Sequence, residues 1–249
     1  MAQQRDEIIK EKSLSEKLQQ DLLENILPPS IVAKLQKHTE LTTQTLRAVS
    51  RKHQGVSVLY ADLAGFTAFS SQVDASQVMA FLNEMFNTFD ALCDPHCVCK
   101  VETIGDCYVA VAGIERDDAE ANEWMGGAHA AAATYTKNML EFAHAMLIGL
   151  RALVMPGLNR PPSMRVGIHT GSKCISGVVG TKSLRFCLLG ETVDMAEAME
   201  QGGIPGCIHA SEAVVELAPD HDWEAFARSE ASSSYLLRVI VDRVPGWLS

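Results

Sequence analysis

Lys100-Val101-Glu102-Thr103-Ile104-Gly105-Asp106-Cys107-Tyr108 is the stretch that decides the reading of this chain. It predicts a strand over Val98–Thr103, a tight turn at Gly105 and a second strand over Cys107–Ala112. The turn sets one carboxylate, Asp106, at a strand edge. An apolar run, Val56 to Ala61, ends upstream in Asp62-Leu63-Ala64-Gly65-Phe66-Thr67, which sets a second carboxylate, Asp62, at the edge of another strand. Two strand-borne acids near glycines are what a two-metal phosphoryl site needs: hard oxygen ligands, fixed by a rigid sheet, for two divalent cations. The competing reading is a pair of turn-forming acids. Two further landmarks lie downstream, Gly167-Ile168-His169-Thr170-Gly171 and Phe186-Cys187-Leu188-Leu189-Gly190-Glu191-Thr192-Val193-Asp194-Met195-Ala196.

Composition bounds the rest. The 249 residues suffice for one large domain and an appendage, and a hydrophobic content of 47% supports a core. A net charge of −10 argues against a nucleic-acid or polybasic membrane surface. An acidic chain that binds a nucleoside triphosphate has to recruit Mg²⁺ or Mn²⁺ to offset the repulsion. No apolar run is long enough to span a bilayer; the longest candidate, Met139 to Met155, is broken by Glu141, His144 and Arg151. The first twenty residues carry no signal-peptide core. The seven cysteines, with Cys93, Cys97 and Cys99 clustered, read as reduced thiols rather than a metal knot. The expected compartment is the cytoplasm, either free or as the cytosolic domain of a larger membrane protein.

Along the chain, residues 1–37 read as an N-terminal signalling or dimerisation helix, with Leu14, Leu18 and Leu22 on one stripe. Pro28-Pro29 ends it, and Ser30 caps a short helix through Leu35. Residues 38–54, polar and Thr-rich, read as a linker; 55–225 form the main domain; 226–249 form a divergent C-terminal tail. Within the main domain the expected order is strand Val56–Ala61, helix Ala75–Leu92, the hairpin, and a helix-rich stretch Asp117–Val154 broken near Gly126-Gly127. Strands Met164–His169 and Ile175–Val179, helix Thr192–Glu200, strand Cys207–Ala210 and helix Ser211–Leu217 follow. Two β-α-β units around a hairpin give an α+β class, a ferredoxin-like βαββαβ sheet with helices on one face.

The ordered set of motifs resembles the class III nucleotidyl cyclase catalytic domain, from about Val56 to about Ala210. The lead-in Leu27-Pro28-Pro29-Ser30-Ile31-Val32 is also similar to that family's. The resemblance implies a palm-like cyclase fold working as a homo- or heterodimer. Two Mg²⁺ or Mn²⁺ per active site would be held by Asp62 and Asp106, with the carbonyl of Leu63 as an extra ligand. It implies that Gly65, Phe66 and Thr67 offer backbone N–H groups to the triphosphate. Glu102 can accept from the N1–H and amino group of guanine, and Cys187 is placed to face O6 as a weak donor. In this family Glu with Cys accompanies guanylate cyclases, so the substrate implied is GTP and the product 3′,5′-cyclic GMP; Cys187 alone would read as a small buried hydrophobe.

The departures carry equal weight. Where the family places a ribose-orienting Asn and, a turn later, a phosphate-stabilising Arg, this chain has Asp194 and Ala198. Asp194 can still accept from a ribose hydroxyl but repels phosphate. The tail from Ser229 contains no Lys, although the family uses one there; Arg238 or Arg243 is the candidate substitute, and Arg185 or Arg238 the first candidate to stand in for the missing Arg. In the family the metal acids and the Asn, Arg and Lys come from different subunits. Two functions therefore stay open: a guanylate cyclase domain, or an impaired cyclase-like subunit that regulates or completes a heterodimer. A dinucleotide cyclase of GGDEF type would share the fold type, but its loop is absent.

Overall fold

The structure, a computed structural model, describes residues 17, 27–36, 42–114, 125–180, 183–228 and 233–238. The Leu14, Leu18 and Leu22 stripe and Arg243 lie outside them. Two compact units emerge, residues 1–51 with 176–187, and residues 52–175 with 188–249.

The second unit is built on a seven-stranded sheet that begins with the expected pattern. Strand β2 (Val56–Leu63) is followed by helices α3 (Phe66–Ser70) and α4 (Ala75–Cys93), then by the hairpin of β3 (Cys99–Ile104) and β4 (Cys107–Ala112). Helix α5 (Ala128–Gly149) returns the chain to β5 (Met164–Gly171). These four strands lie in the order β3-β4-β2-β5, all neighbours antiparallel. Sequence periodicity explains the layering. Leu59, Ala61 and Leu63 alternate along β2 onto one face, where they pack with Phe81, Met85 and Phe89 of α4 and Met139, Phe142 and Met146 of α5. Asp74 caps α4 by accepting from Ser76 N–H at 2.9 Å. The expected break at Gly126-Gly127 is the start of α5: both have positive φ, and Gly127 is its N-cap.

Beyond β5 the sheet continues. Helix α6 (Glu191–Gln201) leads into β8 (Cys207–Ser211), which runs parallel to β5. After α7 (Glu212–Leu217), β9 (Glu224–Arg228) and β10 (Ser233–Arg238) complete the order β5-β8-β10-β9. Two sequence expectations change here. The division placed at 225/226 falls inside β9, because residues past it pair in register with β8 through β10. The helices also do not share one face. Alternation puts Gly167 on the face opposite the α4/α5 core, and there α6 packs so closely that a Cβ on Gly167 would sit 2.0 Å from the Glu200 nitrogen.

The first unit holds α1 (Pro29–Leu35) and α2 (Thr43–Ala48). Its three-stranded sheet has the order β1-β6-β7, from β1 (Arg51–His53), β6 (Cys174–Val179) and β7 (Arg185–Leu189), strands that run on into the second unit. The stretch read as a linker thus contains a helix: Thr42 accepts from Thr45 N–H at 3.2 Å, so the threonines cap instead of disordering it. Helix α1 is capped by Pro28 with no side-chain bond, and Ser30 lies within it. All seven cysteines are free thiols, and no group of three His, Cys, Asp or Glu side chains among the described residues is arranged to hold a metal. Among those residues no helix is long and apolar enough to cross a membrane.

Gly167→Ala should therefore cost about 2 kcal/mol or more, since the backbone of α6 has nowhere to move. Thermal unfolding followed by circular dichroism should show the melting temperature several degrees lower.

Candidate active site

The β3–β4 hairpin turns on two residues, Gly105 and Asp106, because Ile104 pairs directly with Cys107. Gly105 has φ +65°, the positive φ at the first turn position that a II′-type hairpin requires. That turn sets Asp106 at the end of β4 beside the end of β2, where Ala61 pairs with Tyr108. The two carboxylates predicted from the motifs are thereby brought together. Burial is the main cause that pushes the Asp106 carboxyl up to about 6, and the neighbouring Asp62 charge adds to it. The Asp62 carboxyl adds to that rise, while the backbone N–H groups of Asp106 itself and of Leu63 oppose it.

Around this pair lies a row of groups on the α6 face. The register of β3 and β4 shifts between Lys100 and Glu102, so both Ala110 and Val109 are matched across an extra residue, Val101. This bulge puts Glu102 opposite Val109, which is opposite Tyr60, which is opposite Gly167 under α6. The Tyr60 phenol is pushed up to about 12, mainly by burial, then by Glu197, Cys107, Glu102 and Asp194. Burial, then Asp62 and Glu200, push the Cys107 thiol up to about 12. The face is thus strongly acidic. One cation is built into it: Arg165 Nη2 donates to Asp62 Oδ2 at 2.8 Å and its Nε donates to Glu200 Oε1 at 2.7 Å. Burial raises the Glu200 carboxyl pKa, and Arg165 opposes that rise.

The other expected residues divide. Gly65 has φ +79° and is the N-cap of α3, with Phe66 and Thr67 in its first turn, where N–H groups have no acceptor within the helix. The Phe66 ring itself packs on the core. Asp194 and Ala198 are both exposed on α6. Cys187, on β7, belongs to the first unit, whereas Glu102 belongs to the second. Its thiol donates weakly to the Arg185 carbonyl at 3.8 Å. Tyr60, Arg165, Glu197 and Glu200 were not singled out in the sequence. Arg165 was the legible one among them, since it precedes the Gly-Ile-His-Thr-Gly motif on a strand adjacent to Asp62.

Residues 48–233 match the model of the adenylate and guanylate cyclase catalytic domain. The chain belongs to that family. It is 36% identical over 208 residues to the speract receptor of Strongylocentrotus purpuratus, covering 82% of this chain and 16% of the receptor. It is 34% identical over 223 residues to guanylate cyclase D of Mus musculus, covering 88% of this chain and 18% of that protein. The chain thus spans under a fifth of these relatives' length. In fold it is similar to the guanylate cyclase domain of RhGC from Catenaria anguillulae in complex with GTP, with a TM-score of 0.62 and 24% identity over 75% of this chain and 97% of that one. It is also similar to the adenylyl cyclase CyaB of P. aeruginosa, with a TM-score of 0.60 and 20% identity over 78% of this chain and 97% of that one. The cyclase α+β architecture is thus established.

The raised Asp106 pKa has a consequence for the metal-free domain. The folded state binds a proton more tightly than the unfolded chain, so the stability of that carboxyl is fully present below about pH 4 and lost as pH rises through about 6. Asp106→Asn, measured by denaturant unfolding in the presence of a chelator, should stabilise the domain at pH 7.5 by about 1 kcal/mol after allowance for solvent screening. At pH 4 it should gain almost nothing.

Proposed function

We propose that this domain is a guanylate cyclase catalytic domain, converting GTP to 3′,5′-cyclic GMP and pyrophosphate at a dimer interface. The observation that carries the reading is the meeting of the Asp62 and Asp106 carboxylates at the ends of adjacent strands. Relatives that are guanylate cyclases by name support the class of reaction.

The donor set fits divalent cations. Two carboxylates pressed together, with Glu200 beside Asp62, form an acidic site whose charge Arg165 offsets only in part. Asp62 and Asp106, with the carbonyl of Leu63, would hold two Mg²⁺ or Mn²⁺ ions. When bound, such ions lower the pKa of the ribose 3′-hydroxyl and neutralise the phosphates. The reaction itself is intramolecular: the 3′-oxygen bonds to the α-phosphorus, its proton is lost, and the bond to the pyrophosphate oxygen breaks. The protein's part is to fold the nucleotide and exclude wrong poses. The first-turn N–H groups after Gly65 suit a triphosphate. Glu102, aimed onto the α6 face by the bulge, suits the guanine edge, with Cys187 as its partner reader. Asp194 suits a ribose hydroxyl.

A second reading rests on α6. Asp194 and Ala198 are exposed where an amide and a guanidinium would serve, so a homodimer would lack the charge that stabilises the transferring phosphorus. The chain would then donate metals to a partner that completes one site. Receptor-type guanylate cyclases among the relatives support a cytosolic setting, with the domain free or the cytosolic part of a larger membrane protein.

Asp62→Ala and Asp106→Ala should each abolish cyclic GMP formation in Mn²⁺-GTP assays; activity within a few-fold of the parent in both would sink the metal assignment. Ala198→Arg with Asp194→Asn should raise homodimer turnover at least about tenfold, as should mixing with a complete cyclase domain. No gain from either would mean another group, Arg185 or Arg238 first, replaces the missing guanidinium. Glu102→Lys with Cys187→Asp should move preference from GTP toward ATP in competition assays. An unchanged preference would remove both from base reading.

A further inference from the structure

A cavity of about 380 Å³ lies beside α5, lined by none of the residues of the acidic α6 face. Its volume falls within the range of about 300–1,000 Å³ usual for small-molecule sites. Leu140 and Ala145 of α5 and Leu237 of β10 give it apolar walls. Three of the chain's eight histidines also line it, each from a different segment. His96 follows α4, His144 is on α5, and His221 precedes β9. The His96 ring meets Phe142 edge-on at 6.3 Å between centroids, and the His221 ring tilts against Trp223 at 5.8 Å. Nδ1 of His221 is buried and meets no hydrogen-bond partner among the described residues. A buried lone pair costs less than a buried N–H, so neutral His221 carries its proton on Nε2. Burial first, and then the charge of His221, hold the His144 pKa below that of an ordinary imidazole.

We propose that this cavity binds a small organic acid, a carboxylate carried on an apolar body, with His144 and His221 receiving the carboxylate. No lysine or arginine is among the lining residues. The one lining carboxylate, Glu141, is itself exposed and lies 3.9 Å from Lys137, one turn away. His144 and His221 are thus two cations in waiting that oppose each other's protonation. An anion between them turns that repulsion into charge-assisted hydrogen bonds, while its apolar body covers Leu140, Ala145 and Leu237. A ligand cation would meet the same imidazoles unfavourably, and a neutral ring would gain the apolar contact alone. No group of three metal-binding side chains is arranged here for a cation among the described residues. The ionisable groups sharing the cavity with His144 are Glu141 on its own helix, His96 after α4 and His221 before β9; β10 contributes only Leu237. Burial and the His221 charge disfavour the His144 imidazolium, and a bound carboxylate favours it. Binding therefore takes up a proton, and affinity rises as pH falls from 8 to 6.

The test is nuclear magnetic resonance of the chain with ¹³C-labelled histidines, titrated with benzoate, with benzamide as its neutral isostere, and with Zn²⁺. Benzoate stays ionised throughout this pH range. It should shift the His144 and His221 ring signals with roughly millimolar affinity, as suits so small a fragment. That affinity should rise at least about fivefold from pH 8 to pH 6, and the His144 titration should move to higher pH. Benzamide should bind about tenfold more weakly, with no pH dependence. His144→Gln should remove the pH dependence, with melting temperature as the check on folding; if that variant unfolds, the parent's benzoate and benzamide titrations decide alone. Equal binding of benzoate and benzamide, or a benzoate affinity flat in pH, would overturn the proposal and leave an apolar cavity. No shift at tens of millimolar benzoate, or shifts with Zn²⁺ only, would overturn it too.

Discussion

Two carboxylates are forced into contact by strand pairing, and the rest of the α6 face is organised around that cost. Asp62 is the penultimate residue of β2, Asp106 immediately precedes β4, and the antiparallel register of those strands brings the two side by side. Like charges this close hold a proton or recruit a cation. A fold that served stability alone would have no reason to keep the pair. The Asp106 carboxyl, pushed up to about 6 by burial and then by the Asp62 charge, records part of that tension.

The surroundings manage that tension in layers. Backbone N–H groups of Leu63 and Asp106 solvate one carboxylate. The Arg165 fork solvates the other and passes the load to Glu200. On the opposite face the sheet is dry, packed by α4 and α5, and the hairpin is pinned from below: the Tyr108 hydroxyl donates to Asp90 Oδ1 at 2.7 Å, and Lys100 Nζ donates to Asp90 Oδ2 at the same distance. Motion of the Gly105-Asp106 turn is thus opposed by α4, and motion of Asp62 by α6. Rigid placement of a repelling pair is what precise cation binding asks of a scaffold.

How much was legible in the sequence follows from the range of each interaction. Asp62, Asp106 and Glu102 lie in local motifs, a strand followed by a glycine turn, and the structure puts the first two together. The succession of strands and helices from β2 to β5 also followed from alternating β and α segments. Arg165 sits beside a legible motif, but its pairing with Glu200 escaped because it joins a strand to a helix distant in sequence. The bulge at Val101 was hidden for a related reason: a one-residue shift leaves no compositional trace, yet it decides which face Glu102 meets. The Thr-rich stretch misled because threonines that cap a helix look, in composition, like threonines in a linker. Strands β9 and β10 were missed because short polar segments such as Ser233–Arg238 acquire strand character only from the neighbour they pair with.

The central claim is that Asp62 and Asp106 jointly hold divalent cations against a bound purine triphosphate. Its most direct test is anomalous X-ray scattering at the manganese edge, from crystals grown with Mn²⁺ and a non-hydrolysable GTP analogue. The expected result is anomalous density within direct coordination distance of oxygens from both Asp62 and Asp106, and beside the nucleotide phosphates. Nucleotide density with no manganese peak at either carboxylate would contradict it.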